Sequence, residues 1–357
     1  MNKGLHGADI YTESKLKGIS ENNIIDFSSN INPFGIPDSV KVAAINSIKH
    51  SDRYPDINSR ELVHALSAYE NVPEDRIFVS NGAADAIFRI SSSLKPGNGL
   101  VTAPAFSEYE QSLKAAGANI MYFNLYEKNN FKITEEIINC INDEVNIVFI
   151  CNPNNPTGQI TEKELLEKII IRCKEVNAVI VIDECFMDFV EHNEKFSVIK
   201  LLDNYNNLIV LKAFTKTFAI PGIRLGYCMS SNSDIINSLK SSGPPWNVST
   251  IAQAAGAAAV KERDYLDKSV IYIRNQRNYL IDELNKLNIK TYDSYANYIF
   301  FKIKDINLKE EMMKSNILIR SCSNYENLTD DYYRIAVKTA EENQLFIDKL
   351  KEITGKR

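Results

Sequence analysis

No run of apolar residues in this sequence approaches the roughly 20 needed to cross a bilayer, so a membrane-spanning protein is not expected. Met1 to Gly18 are polar and carry no apolar stretch of the kind that marks a secretory signal, which makes the cytoplasm the expected location. The six cysteines (Cys140, Cys151, Cys173, Cys185, Cys228 and Cys322) show no CxxC spacing and mostly sit in apolar or alternating stretches. Reduced, buried thiols are the expectation, with neither a disulfide framework nor a metal site. Basic residues are in slight deficit, 41 Lys and Arg against 46 Asp and Glu, and they are scattered, which argues against nucleic acid as a partner. Internal repeats and low-complexity segments are also missing. What remains is an ordinary soluble composition, 44% hydrophobic and 24% charged over 357 residues. That length can bury a large core and suits one large domain with a smaller companion.

Short, β-branched runs bounded by polar or turn residues punctuate the middle of the chain. Ile77–Val79, Leu100–Thr102, Ile120–Phe123, Ile147–Ile150, Val179–Ile182, Leu208–Leu211 and Leu225–Met229 read as buried strands. Helical spacing appears between several of them, as in Glu162–Lys174. Such alternation predicts an α/β fold with a mostly parallel sheet covered on both faces. A long amphipathic helix over Lys261–Leu287 follows. Further strands are expected at Ile289–Tyr292, Tyr298–Ile303, Ile317–Arg320 and Tyr333–Val337, with helices after Ile306 and Glu341, an α+β pattern. The expected organisation is an N-terminal arm over 1–37, a large domain over 38–240, and the long helix with a small C-terminal domain over 241–357.

Open α/β sheets bind ligands at the carboxyl ends of their strands. Four such ends stand out. Ser80-Asn81-Gly82-Ala83-Ala84 leads into a helical pattern, where small residues and a helix N-terminus favour an anion. Asn152-Pro153-Asn154-Asn155-Pro156-Thr157-Gly158 reads equally well as a tight turn. Asp183-Glu184 places a carboxylate at the sheet edge, and Lys212-Ala213-Phe214-Thr215-Lys216 precedes Pro221-Gly222-Ile223-Arg224. Singly, each has a plain explanation as a turn, a cap or a solvated charge.

In this order and spacing, Asn-Pro-Thr-Gly at 155–158, Asp-Glu at 183–184, Thr-Lys at 215–216 and Gly-Ile-Arg-Leu-Gly at 222–226 resemble the fold-type-I pyridoxal-phosphate (PLP) enzymes of the class I and II aminotransferase group. The resemblance covers nearly the whole chain and implies a PLP-dependent transferase-like large domain. It implies that Lys216 carries PLP as a Schiff base and later moves protons, which requires a lowered amine pKa. Asp183 would keep the ring nitrogen protonated, Asn155 would donate to the ring oxygen O3′, and Phe106 would stack on the ring. Gly82, Ala83, Thr215 and Arg224 would hold the phosphate, with Tyr54 reaching it from the second subunit of a homodimer. Arg334 would fork the substrate α-carboxylate.

Two positions depart from that pattern. Phe186 stands where a tyrosine usually bonds O3′, and Ala213 replaces a common Ser or Thr. The first change should raise the Schiff-base pKa and alter the reaction preference. A narrower resemblance, to the threonine-phosphate decarboxylases of cobalamin biosynthesis, fits Phe186. It rests on His6-Gly7-Ala8, Asp26-Phe27-Ser28-Ser29-Asn30-Ile31-Asn32-Pro33, Arg53-Tyr54-Pro55-Asp56, Ala219-Ile220-Pro221-Gly222 and Ile319-Arg320-Ser321-Cys322. Ala8 replaces a second glycine expected in that motif. The subgroup implies a phosphorylated amino-acid substrate anchored by His6, Asn32, Arg320 and Arg334. Histidinol-phosphate aminotransferase is the main alternative, sharing fold, cofactor and a phosphorylated substrate. A DNA-binding regulator built on the same scaffold is disfavoured, because no room for a recognition domain is expected before Asn30.

Overall fold

The computed structural model describes Gly7 and residues 9–355. A seven-stranded sheet forms its centre, in the spatial order Ile77–Ser80, Gly226–Met229, Leu208–Ala213, Val179–Asp183, Ile147–Cys151, Asn98–Ala103 and Asn119–Asn124. Only Gly226–Met229 runs against its neighbours; the other pairings are parallel. All the strands expected of the central region therefore join one sheet. The central strands are apolar throughout because both faces are covered. Alternate residues feed opposite cores. Val148, Ile150, Ile180, Ile182 and Val210 belong to one apolar cluster, while Ile147, Phe149, Val181, Ile209 and Leu211 belong to another. Helices Ala83–Leu94 and Lys163–Glu175 supply apolar residues to these two clusters.

The C-terminal part builds a four-stranded antiparallel sheet in the order Arg320–Ser321, Tyr332–Ala336, Tyr298–Lys302 and Lys290–Thr291. Helix Arg263–Lys286 buries Ile273, Leu280 and Leu284 in the core of this part. The strand expected over Ile317–Arg320 is split between two sheets. Ile317 and Leu318 pair with Ile25–Asp26, and Arg320 and Ser321 pair with Tyr332–Ala336. Phe27 is the seam between them. Its N–H donates to the Leu318 carbonyl and its carbonyl accepts from the Ala336 N–H, both at 2.8 Å, while its ring packs on Phe346.

The first residues thus differ from the loop-like arm expected. They carry helix Ile10–Lys17 and a short strand; Ile25 and Phe27 join the core of the smaller part, while Ile10 and Ile24 pack in a separate cluster with Met313 and Leu318. No described helix is long and apolar enough to cross a membrane, and the six cysteines are free thiols.

Ile182 is fully buried beside the strand end that carries Asp183. Ile182→Ala should cost about 2–5 kcal/mol through lost burial and the cavity left behind, read from the shift in the denaturant midpoint at unchanged m-value.

Candidate active site

A cavity of about 320 Å³ opens at the carboxyl edge of the large sheet, where its strands meet the two arginines of the smaller one. That volume suits a small organic ligand. Its floor is built by neighbouring parallel strands. Val179–Asp183 ends in Asp183, and Leu208–Ala213 runs into the short helix that carries Lys216.

Asp183 is 4% exposed, and both carboxylate oxygens are engaged. Oδ1 accepts from the Cys185 N–H at 2.9 Å and Oδ2 from the Tyr109 hydroxyl at 2.6 Å. Burial pushes its pKa up, and the Cys185 and Tyr109 donors pull it back. Tyr109 is itself enclosed, stacked on Phe149 and edge-on to Phe106, and burial lifts its phenol well above the ordinary range, so it remains a donor. Lys216 faces the same cavity. Burial, followed by the nearby Arg334 and Arg224 charges, lowers its amine to about 8. No carboxylate among the described residues forms an ion pair with it.

Gly82, Ala83 and Arg224 lie together as a candidate anion cradle, with Ala83 and Arg224 lining the cavity. Gly82 has φ +84°, and a Cβ there would stand 2.7 Å from Arg224 Nη2, so both backbone and space call for glycine. Ala83 opens helix Ala83–Leu94, with its N-terminal N–H groups towards the cavity that Ala83 and Ala84 line. Arg224 is held by Nη1 donating to the Pro221 carbonyl at 3.1 Å. Thr215 lines the wall beside it.

The opposite wall is cationic. Arg320 and Arg334 stand directly opposite each other on paired strands, 6% and 5% exposed. Arg334 donates to Asn155 Oδ1 through Nη1 and to the Ser28 carbonyl at 2.7 Å through Nη2. Arg320 donates to Asn324 Oδ1 at 2.8 Å and lies over the Tyr325 ring. Phe106, Asn155 and Phe186 complete the lining. Phe186 offers no hydroxyl and meets the Tyr298 ring edge-on at 5.0 Å.

Two expected residues, Tyr54 and Asn32, lie elsewhere. His6 and Ala8 fall outside the described residues. Tyr54 is 78% exposed, stacked on Trp246 at 4.6 Å, and forms no part of this chain's own cavity. Asn32 does not reach the cavity either. Its amide donates to the Thr217 carbonyl at 2.9 Å and the Ser269 hydroxyl at 2.8 Å, and its oxygen accepts from the Phe34 N–H. Asn30 lines the cavity in its place, 2% exposed and with Oδ1 lacking a hydrogen-bond partner among the described residues. Two asparagines two positions apart look alike in sequence, and only the fold decides which one faces inward. Tyr109 was also missed; its signal, a tyrosine three residues past Phe106 near a helix start, is weak.

These groups fit PLP on structural grounds. The cradle would take its phosphate, the buried carboxylate would match a protonated ring nitrogen, and the amine is poised for an aldehyde. Among the described residues no cluster could hold a metal ion. The rate at which Lys216 of the cofactor-free protein takes up PLP should rise with pH and level off above about 8, where the amine becomes neutral. A rise continuing towards the ordinary lysine range, measured by absorbance, would contradict this.

The model of the family described as aminotransferase class I and II matches residues 22–350. The chain is 34% identical over 98% of its length to a threonine-phosphate decarboxylase of Salmonella typhimurium, of which it covers 96%. It is 30% identical over 94% of its length to a histidinol-phosphate aminotransferase of Methanosphaera stadtmanae, covering 92% of that protein. The solved structure of a histidinol-phosphate aminotransferase from Clostridium acetobutylicum superposes with a TM-score of 0.87 at 33% identity, over 93% of this chain and 99% of that one. This chain therefore belongs to the class I and II aminotransferase family of PLP-dependent enzymes.

Proposed function

We propose that this chain is a PLP-dependent decarboxylase that converts O-phospho-L-threonine to (R)-1-amino-2-propanol O-phosphate in cobalamin biosynthesis. The observation that carries this reading is the pair of buried arginines. Like charges directly opposite each other on paired strands repel, so Arg320 and Arg334 call for a ligand with two anionic ends. O-phosphothreonine offers a phosphate and an α-carboxylate. Histidinol phosphate has only the phosphate; the 2-oxoglutarate that its enzyme also takes has two anionic ends, and there Phe186, in place of the tyrosine that would serve that enzyme, favours the decarboxylase.

In this reading PLP supplies the electron sink that takes up charge developing at the substrate Cα. Lys216 would hold the cofactor covalently and would carry the proton to the substrate Cα, a role suited to an amine whose pKa is lowered to about 8. Asp183, its oxygens fixed by Cys185 and Tyr109, keeps the ring nitrogen charged. Gly82, Ala83, Thr215 and Arg224 hold the cofactor phosphate, Phe106 covers its ring, and Asn155 orients it. Arg334 takes the substrate carboxylate and Arg320 the substrate phosphate, with Asn30 as a further anchor and His6 as one from the amino-terminal segment. Holding both ends sets which bond at Cα is presented for cleavage, so the choice of reaction is a matter of positioning. The reading includes a cytoplasmic homodimer in which Tyr54 serves the site of a second copy.

A paired assay tests it. PLP-loaded protein should release CO₂ from O-phospho-L-threonine without any keto acid. Glutamate formation from histidinol phosphate and 2-oxoglutarate, without CO₂ release, would make it an aminotransferase instead. Arg334→Ala should raise the KM for O-phosphothreonine roughly 10- to 100-fold, the weight of one or two hydrogen bonds to a charged group. Its PLP content should stay near that of the wild type; loss of the cofactor would count against this role.

A further inference from the structure

A second set of buried charges lies behind the cavity floor. Lys212 is in strand Leu208–Ala213, four residues before Lys216, and is 5% exposed. Its ammonium pairs with Asp188 Oδ1 at 2.7 Å and Glu70 Oε1 at 3.3 Å. Burial alone would pull the amine down, but Asp188, Glu70, Tyr69 and Glu184 together raise it well above its ordinary value, so it is charged. Glu70 also accepts from the Tyr227 hydroxyl, and Glu184 is tied to Ser197 Oγ and the Val198 N–H.

Asp188 lies five residues past Asp183 on the same stretch of chain, on the turn Met187–Phe189. Its second oxygen accepts from Thr217 Oγ1 at 3.3 Å. The Thr217 carbonyl is in turn held by Asn32, whose own N–H donates to the Lys216 carbonyl at 3.1 Å. One carboxylate thus touches both sides of Lys216 in the chain, Lys212 before it and Thr217 after it, and belongs to the segment that bears Asp183.

Stability gives little reason to keep such a cluster. Replacing a buried ion pair by apolar side chains of similar volume is often neutral or stabilising. Apolar packing, however, does not fix direction and distance as a hydrogen-bonded pair does. We propose that Lys212 and Asp188 are positioning residues, a buried ion pair that fixes the Lys216 segment against the Asp183 segment so that amine and carboxylate face the cavity in register. The proposal rests on the PLP-decarboxylase reading for its substrate and on the structure for its geometry.

The full-length, PLP-loaded protein is compared with Asp188→Asn, which keeps shape but removes the charge. A second variant, Lys212→Met/Asp188→Leu/Glu70→Gln, removes the ammonium and the two carboxylates paired with it. The conservative Lys212→Arg keeps the pair. For Asp188→Asn and the triple variant, kcat should fall roughly 10- to 100-fold, the scale of a small misplacement of reacting groups, while KM changes less than about twofold. PLP release, followed by loss of visible absorbance, should accelerate, and the melting temperature of the triple variant should stay close to wild type. Lys212→Arg should recover most of kcat. Wild-type kcat and PLP retention in a folded Asp188→Asn protein would overturn the proposal, as would recovery of both in the triple variant. Absence of CO₂ release by the wild type would instead sink the decarboxylase reading, leaving PLP release to judge the ion pair.

Discussion

Asp183 and Lys216 lie at one cavity edge yet do not pair, and the arrangement of the site depends on that separation. Neighbouring parallel strands bring both to the same edge, where opposite charges in a dry site would attract strongly. Each is instead given other company. Both oxygens of Asp183 are directed by the Cys185 N–H and the Tyr109 hydroxyl. Lys216 sits among arginines that oppose its charge and lower its pKa. A direct pair would hold the amine protonated and the carboxylate satisfied, leaving neither for a ligand. Kept apart, they present a buried carboxyl group and an amine of lowered pKa to one cavity.

The smaller sheet contributes the complementary half. Its antiparallel register sets Arg320 opposite Arg334, and the seam at Phe27 fixes that sheet to the amino-terminal segment that delivers Ser28 and Asn30. The same Ser28 carbonyl receives an Arg334 N–H, so the position of the arginine and the path of the first strand are linked. A ligand with two anionic ends would neutralise the repulsion that this register imposes. In the proposed reading, the cofactor groups would come from the large sheet and the substrate-facing cations from the small one.

Much of this was legible in the sequence, for physical reasons. Strands buried on both faces leave continuous apolar runs, so Ile147–Ile150 and Val179–Ile182 could be placed by composition alone. Residues that follow such runs must lie at the sheet edge, which brought Gly82, Asn155, Asp183 and Lys216 into view. Side-chain direction outside regular strands was not legible. Asn30 and Asn32 share type and neighbourhood, and the inward one emerges only once Asn32 is seen holding Thr217 and Ser269. The split of Ile317–Ser321 between two sheets depends on Phe27, almost three hundred residues earlier in the chain. Tyr109 meets Asp183, and Lys212 meets Glu70 and Asp188, across long stretches of chain, and local pattern carries no trace of that.

The most direct test of the central claim is borohydride reduction of the PLP-loaded protein, followed by peptide mass mapping. The account predicts a single reduced PLP adduct, on the peptide containing Lys216. An adduct on Lys212 or on any surface lysine instead, with Lys216 unmodified, would contradict it.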